Sequence, residues 1–221
     1  MRDPLLPDTS LSRAAPIPHA LMTAFFRTTF ALCGGFRVTG AQNVPKYGGV
    51  IFCPNHISDS DPGALYIALP RHDVYFMGKQ ELFRIPIMGS IFQYYGGFPV
   101  VRDSADRAAL RLAEKILTTG RGLTIYPEGR ISQSGGLQEL QPGVAMLALR
   151  TGASIIPVGM GGTDKILPYG SVVPRWTGKP ATVTFGTAIH MANFDNVNRR
   201  DAMAQIMERV RIELLSLTTT R

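Results

Sequence analysis

One pair of residues in this chain suits proton transfer by type and by spacing: His56 and, five positions on, Asp61. They lie in the segment Pro54-Asn55-His56-Ile57-Ser58-Asp59-Ser60-Asp61-Pro62. An imidazole accepts a proton near neutral pH, and a carboxylate bonded to its other ring nitrogen fixes the tautomer and steadies the imidazolium. On an unbroken helix a five-residue separation turns two side chains about 140° apart, so the pair can meet only across a turn. A plainer reading stays open, with Asp61 before Pro62 as an ordinary helix cap and His56 as a loop histidine satisfied by backbone.

Three further segments carry groups of interest. Gly96-Gly97-Phe98-Pro99-Val100-Val101-Arg102 ends a short apolar run in a guanidinium, which on the plain reading is a strand with one solvated charge. Tyr126-Pro127-Glu128-Gly129-Arg130-Ile131-Ser132 sets a carboxylate, a permissive glycine and a second guanidinium within three residues, or else a turn with a local ion pair. Arginine forks from two loops could hold one phosphate. Ile155-Ile156-Pro157-Val158 is an apolar strand interrupted by proline, for which an edge position is expected. There is no G-x-S-x-G elbow for an acyl-serine, no complete dinucleotide fingerprint at Gly159-Met160-Gly161-Gly162, and no H-E-x-x-H or acidic cluster. No metal and no nucleotide cofactor are therefore expected. Cys53, three residues before His56, falls in an apolar strand and reads as a buried, inert thiol.

The elements that must position these groups alternate. Strands are predicted at 49–53, 98–101, 123–126, 154–158 and 181–189, and helices at 62–69, 105–119, 142–151 and 199–217. Ser104 or Asp103 is the expected cap of the second helix and Gly120 its stop, and Pro142 fits a first helical position. This is the pattern of an α/β domain with a mostly parallel central sheet flanked by helices. Residues 1–18, rich in proline and serine, read as a loose tail. Residues 18–33 read as an N-terminal amphipathic helix, with His19, Thr23 and Arg27 on one stripe and Leu21, Met22, Phe25 and Leu32 toward the other side, either packed on the core or lying in a membrane interface. Residues 1–36 are thus a flexible tail and membrane-facing helix, and residues 37–221 one catalytic domain.

With 221 residues, 45% hydrophobic and 18% charged, the chain is neither disordered nor dependent on disulfides, and its two cysteines suit a reducing compartment. A net charge of +7 suits an anionic partner. Between Asp8 and Asp59 there is no acidic residue, while Arg13, Arg27, Arg37 and Lys46 fall there, which favours an anionic membrane face. No apolar run reaches the ~20 residues needed to span a bilayer, and the first residues lack the order of a signal peptide. Peripheral or monotopic attachment at the cytoplasmic face of a membrane is expected. Nucleic acid is not expected as a partner, there being no recognised fold signature and no basic block beyond Arg199-Arg200.

In order and spacing, Asn55-His56-x-x-x-x-Asp61, Gly97 to Arg102, Pro127-Glu128-Gly129 and Ile156-Pro157-Val158 resemble the four blocks of the lysophospholipid and glycerol-phosphate acyltransferase family. The resemblance spans about residues 50–160. It implies the fold of glycerol-phosphate acyltransferases and a membrane-bound transfer of a fatty acyl group from acyl-CoA or acyl-carrier protein to the free hydroxyl of a lysophospholipid. The acceptor would be 1-acylglycerol 3-phosphate, giving phosphatidic acid. By the same resemblance His56 is the general base and Asp61 its partner. Arg102, Glu128 and Gly129 lie about the acceptor's phosphate and glycerol, and Pro157 near the acyl donor. Asn55 is expected among the substrate-binding residues, with Arg102 as the primary phosphate contact and Arg130 as a secondary one. No cofactor beyond the thioester itself is implied. The family's third block runs F-P-E-G-T-R-S, whereas Arg130-Ile131-Ser132 here brings the arginine one residue forward. That leaves open a lysophosphatidylethanolamine-type acceptor, a transacylase using a phospholipid donor, or a non-catalytic lipid-binding homologue.

Overall fold

The computed structural model describes residues 16–101 and 106–219. Helix α1 (Pro16–Leu32) leads to β1 (Phe36–Thr39), β2 (Val50–Pro54), α2 (Asp61–Ala68), β3 (Val74–Lys79), the short α3 (Gln80–Phe83) and α4 (Met88–Tyr94), and β4 (Gly97–Val100). Then come α5 (Arg107–Thr118), β5 (Gly122–Thr124), α6 (Gly143–Thr151), β6 (Ser154–Gly161), α7 (Thr163–Ile166), β7 (Ala181–Phe185) and α8 (Arg199–Thr219). The seven strands form one sheet in the order β1-β7-β6-β2-β5-β3-β4. Every neighbouring pair is parallel except β6 with β7.

β2 is buried along its whole length, as an unbroken apolar strand covered on both faces must be. Successive side chains alternate between two cores. Ile51 and Cys53 pack with Ile116 of α5, Leu147 of α6 and Ile206 of α8. Val50 and Phe52 pack with Phe30 of α1 and Leu65 of α2. At the amino ends of the central strands the buried Arg71 closes the sheet, its fork bonding both oxygens of Asp73 at 2.6 Å and the carbonyls of Pro45, Gly48 and Gly120. The carboxyl ends, where open α/β sheets hold their ligands, carry the loop with His56.

α1 packs on the body of the protein through the side that borders its polar stripe. Phe30 (1% exposed) and Cys33 (7%) enter the core, and Phe26 packs so closely on α2 that a Cβ on Gly63 would stand 2.3 Å from its ring. His19 lies inward too, bonded to Tyr66 and edge-on to His72. Leu21, Phe25 and Leu32 are left outward, at 66%, 61% and 73% exposure. Period alone could not rank two apolar faces, because Phe26 and Phe30 border the polar stripe.

The β6 segment, expected at an edge because of Pro157, is instead central, between β2 and β7. The proline is tolerated because β7 ends at Phe185 and pairing resumes only at the Ile155–Ile189 bridge. Pro157 faces that gap, where it only accepts, from the Gly186 N–H. Residues 181–189 are for the same reason a shorter strand than expected. The cap of α5 is Asp106, the expected Ser104 and Asp103 lying outside the described residues, and Pro142 stands one residue before α6 instead of at its first position. β1 and β3 have no counterpart among the predicted strands.

Asp106 accepts from the Ala108 and Ala109 N–H groups and, through its second oxygen, from Val101. The Ala109 and Val101 bonds foremost hold its carboxyl below the ordinary carboxylate range. A lowered carboxyl stabilises the fold above its unfolded-state pKa, and that contribution is lost as pH falls through the folded one. Asp106→Ala should therefore cost about 1 kcal/mol at neutral pH and progressively less in acid, as measured by urea unfolding at several pH values.

Candidate active site

The chain leaves β2 at Pro54 and makes a turn at Asp59 and Ser60 before α2 begins. That turn brings His56 Nδ1 to 2.9 Å from Asp61 Oδ2. The same oxygen accepts the N–H groups of Ile57 at 2.7 Å and Ser58 at 2.9 Å. Oδ1 accepts the hydroxyl of Thr163, at the start of α7, at 2.5 Å. Asp61 and Thr163 are fully buried. A buried carboxylate is tolerable only when donors replace its water, and here imidazole, two amides and a hydroxyl do so. Asp61 accepts at Nδ1, so that nitrogen carries the hydrogen and the Nε2 lone pair is free to take a proton. Nε2 has no protein partner among the described residues, and His56 keeps 8% of its surface open.

Glu128 fixes the backbone of the histidine. Its Oε1 accepts the His56 N–H at 2.8 Å and its Oε2 the Gln138 N–H at 2.9 Å, while the Ser132 N–H donates to the His56 carbonyl at 2.7 Å. Burial pushes the Glu128 carboxyl above its ordinary pKa, against the lowering effect of these two amides. Glu128, expected around the acceptor's phosphate and glycerol, is thus 4% exposed and committed to holding the loop. Gly129 takes φ 69°, and a Cβ there would meet nothing, so the left-handed turn and not crowding is its requirement.

The remaining expected residues divide. Asn55 is buried and spends its side chain on β6, accepting from the Met160 N–H at 2.7 Å and donating to the Met160 carbonyl at 3.3 Å. Pro157 is buried within the sheet, opposite Cys53. Arg130 is exposed, its Nε donating to Gln138 Oε1 at 3.0 Å. Arg102 lies outside the described residues. Cys53 is fully buried, and burial followed by the Glu128 charge pushes its thiol far up, which leaves it un-ionised.

Two residues of the site had no functional signal in the sequence. Thr163 lies 102 positions from the carboxylate it serves. Tyr126 stacks on the His56 ring, with centroids 4.0 Å apart and planes 28° from parallel. Its hydroxyl is buried without a partner among the described residues, and burial, then the Asp61 charge, keeps it a neutral phenol. The electron-rich face of that ring would favour a protonated imidazole over a neutral one. Tyr126 stood in a quoted block, yet an aromatic at a strand end reads equally as core.

This constellation can take a proton from a hydroxyl and return it to a leaving group. The acyltransferase family model matches residues 35–161, more than half of the chain and every residue of the His56–Asp61 loop. The chain belongs to the acyltransferase family. Among its relatives in that family, a 1-acyl-sn-glycerol-3-phosphate acyltransferase of Borreliella burgdorferi is 34% identical over 129 residues, 58% of this chain and 51% of that protein. The chloroplastic 1-acyl-sn-glycerol-3-phosphate acyltransferase of Arabidopsis thaliana is 30% identical over 138 residues, 61% and 38% of the two chains. The chain thus spans about half the length of these curated relatives, or less. The Bacillus subtilis protein of the same name is 24% identical over 183 residues, 82% of this chain and 87% of its own. Among solved structures, the 1-acyl-sn-glycerophosphate acyltransferase PlsC from Thermotoga maritima superposes with a TM-score of 0.68 at 25% identity, covering 96% of this chain and 83% of that one. The mostly parallel sheet flanked by helices is that fold.

For this acyltransferase-family site, Tyr126→Phe should leave turnover near that of the unaltered chain and stability equal or higher, since it keeps the ring and deletes an unsatisfied hydroxyl. Tyr126→Leu should lower kcat about 3- to 10-fold through loss of the stacked ring. Steady-state kinetics of the two variants side by side separates the ring from the hydroxyl.

Proposed function

We propose that the chain transfers a fatty acyl group from a thioester, acyl-CoA or acyl-carrier protein, to the free hydroxyl of a lysophospholipid, with 1-acylglycerol 3-phosphate as acceptor and phosphatidic acid as product. The observation that carries this reading is the His56–Asp61 pair, bonded at 2.9 Å with Nε2 open, in a chain of the acyltransferase family. The names of the Borreliella and Bacillus relatives support the choice of acceptor.

A thioester is already activated, so the enzyme needs no nucleophile of its own. His56 Nε2 takes the acceptor's hydroxyl proton as the oxygen attacks the thioester carbon. The tetrahedral intermediate collapses, the carbon–sulfur bond breaks, and the imidazolium returns the proton to the departing thiolate. Asp61 holds the imidazole in the required tautomer throughout. The inert state of Cys53 agrees with direct transfer and no acyl-enzyme.

Attachment to a membrane is part of the proposal. No helix among the described residues is long and apolar enough to cross a bilayer. The outward Leu21, Phe25 and Leu32 of α1, in a stretch without acidic residues, suit an interfacial helix on an anionic surface. Peripheral attachment at the cytoplasmic face would give the site access to both a water-soluble donor and a lipid acceptor.

Purified protein, tested with acyl-CoA and acyl-carrier-protein donors against lysophosphatidic acid, lysophosphatidylethanolamine, lysophosphatidylglycerol and glycerol 3-phosphate, should be most active on lysophosphatidic acid. His56→Ala should lower transfer at least about 10²-fold. Near-normal transfer by that variant would remove His56 from the mechanism, and preference for another acceptor would reassign the headgroup.

A further inference from the structure

The loop of residues 167–180, between α7 and β7, carries a second concentration of exposed apolar surface besides that of α1. Val172 is 90% exposed, Trp176 78%, Val173 67% and Tyr169 59%. Scattered apolar residues on a surface need no explanation, but four within eight positions form a patch that does. The loop is braced, with the Arg175 N–H donating to the Ile166 carbonyl at 2.7 Å and the Ser171 N–H to that of Pro168 at 2.9 Å. These side chains are held outward by a defined backbone.

Charge distinguishes this segment from the rest of the chain. No acidic residue occurs between Asp164 and Asp195, and Lys165, Arg175 and Lys179 in that interval are all exposed. The only longer acid-free stretch lies between Asp8 and Asp59 and contains α1. The two stretches meet. The Thr177 N–H and hydroxyl both donate to the Cys33 carbonyl at 2.9 Å, and Gly34 has no room for a Cβ against the Lys179 carbonyl. One residue before each partner stand Leu32 and Trp176, both exposed. At its other end the loop touches the catalytic turn, where the Ser58 hydroxyl donates to the Leu167 carbonyl at 2.7 Å.

We propose that residues 167–180 form a second membrane-contacting segment, which seats Trp176, Tyr169 and the Val172–Val173 pair in an anionic lipid surface beside the opening to His56. The proposal rests on the membrane attachment argued above and extends it from one helix to a two-part face. Tryptophan and tyrosine favour the headgroup layer, and nearby cations favour anionic lipid. A second copy of the chain would instead oppose like charges across the same patch.

Trp176 is the only tryptophan of the chain, so its emission reports on this loop alone. With vesicles of phosphatidylcholine and phosphatidylglycerol, the full chain should co-sediment, and Trp176 emission should shift to the blue and be quenched by brominated lipid. Vesicles of phosphatidylcholine alone should give a weaker response. Val172→Asp with Val173→Asp should lower vesicle affinity about tenfold while leaving the thermal unfolding midpoint unchanged, both positions being exposed. Co-sedimentation without any change in Trp176 emission would overturn the loop's role and leave the α1 reading standing. No co-sedimentation would overturn both. A lipid-independent shift that grows with protein concentration would assign the patch to self-association and overturn the proposal.

Discussion

A carboxylate removed from water must be given hydrogen-bond donors, and the site is organised around that requirement at Asp61. Its two oxygens collect an imidazole N–H, two amides and a hydroxyl from two places in the fold: the loop that joins β2 to α2, and the start of α7. Each donor satisfies the charge and is itself fixed by it. The orientation of His56 is thus a consequence of solvating Asp61 with protein, and a buried network this fully satisfied is rigid. Placing the pair at the carboxyl end of the most central strand lets neighbouring strands deliver the remaining parts.

The second carboxylate, Glu128, works on the backbone. It spans from the His56 amide to the Gln138 amide, 72 and 10 residues away respectively, and so ties the loop after β5 to the loop after β2. Asn55 does the same toward β6 through both polar atoms of its amide. Glu128 and Asn55 are thus anchors for the loop that carries His56. The geometry of the site therefore depends on the strand order β6-β2-β5 as much as on the site residues themselves.

The amino-terminal helix and the loop before β7 obey a different constraint. α1 commits Phe26 and Phe30 to the body of the protein and leaves a second apolar face in solvent, and the 167–180 loop does likewise beside it. Apolar surface of this extent, in two stretches of sequence without acidic residues, is costly in water and suited to an interface. The turn that carries His56 and the loop of residues 167–180 are joined through Ser58 and Leu167.

Much of this was legible in the chain itself where the governing interactions are local. The β2 run, the long α8 periodicity, the left-handed stop at Gly120 and the capacity of His56 and Asp61 to pair across a turn all lie within short windows, where period and residue type decide. Tertiary structure alone decided which of α1's two apolar faces turns inward, that a strand containing Pro157 is central, that Tyr126 stacks on His56, and that Thr163 completes the solvation of Asp61. These depend on which strands become neighbours, and strand order joins residues a hundred positions apart that no local pattern relates. The spacing of side chains could pair His56 with Asp61; only the packing of the sheet could supply what holds them still.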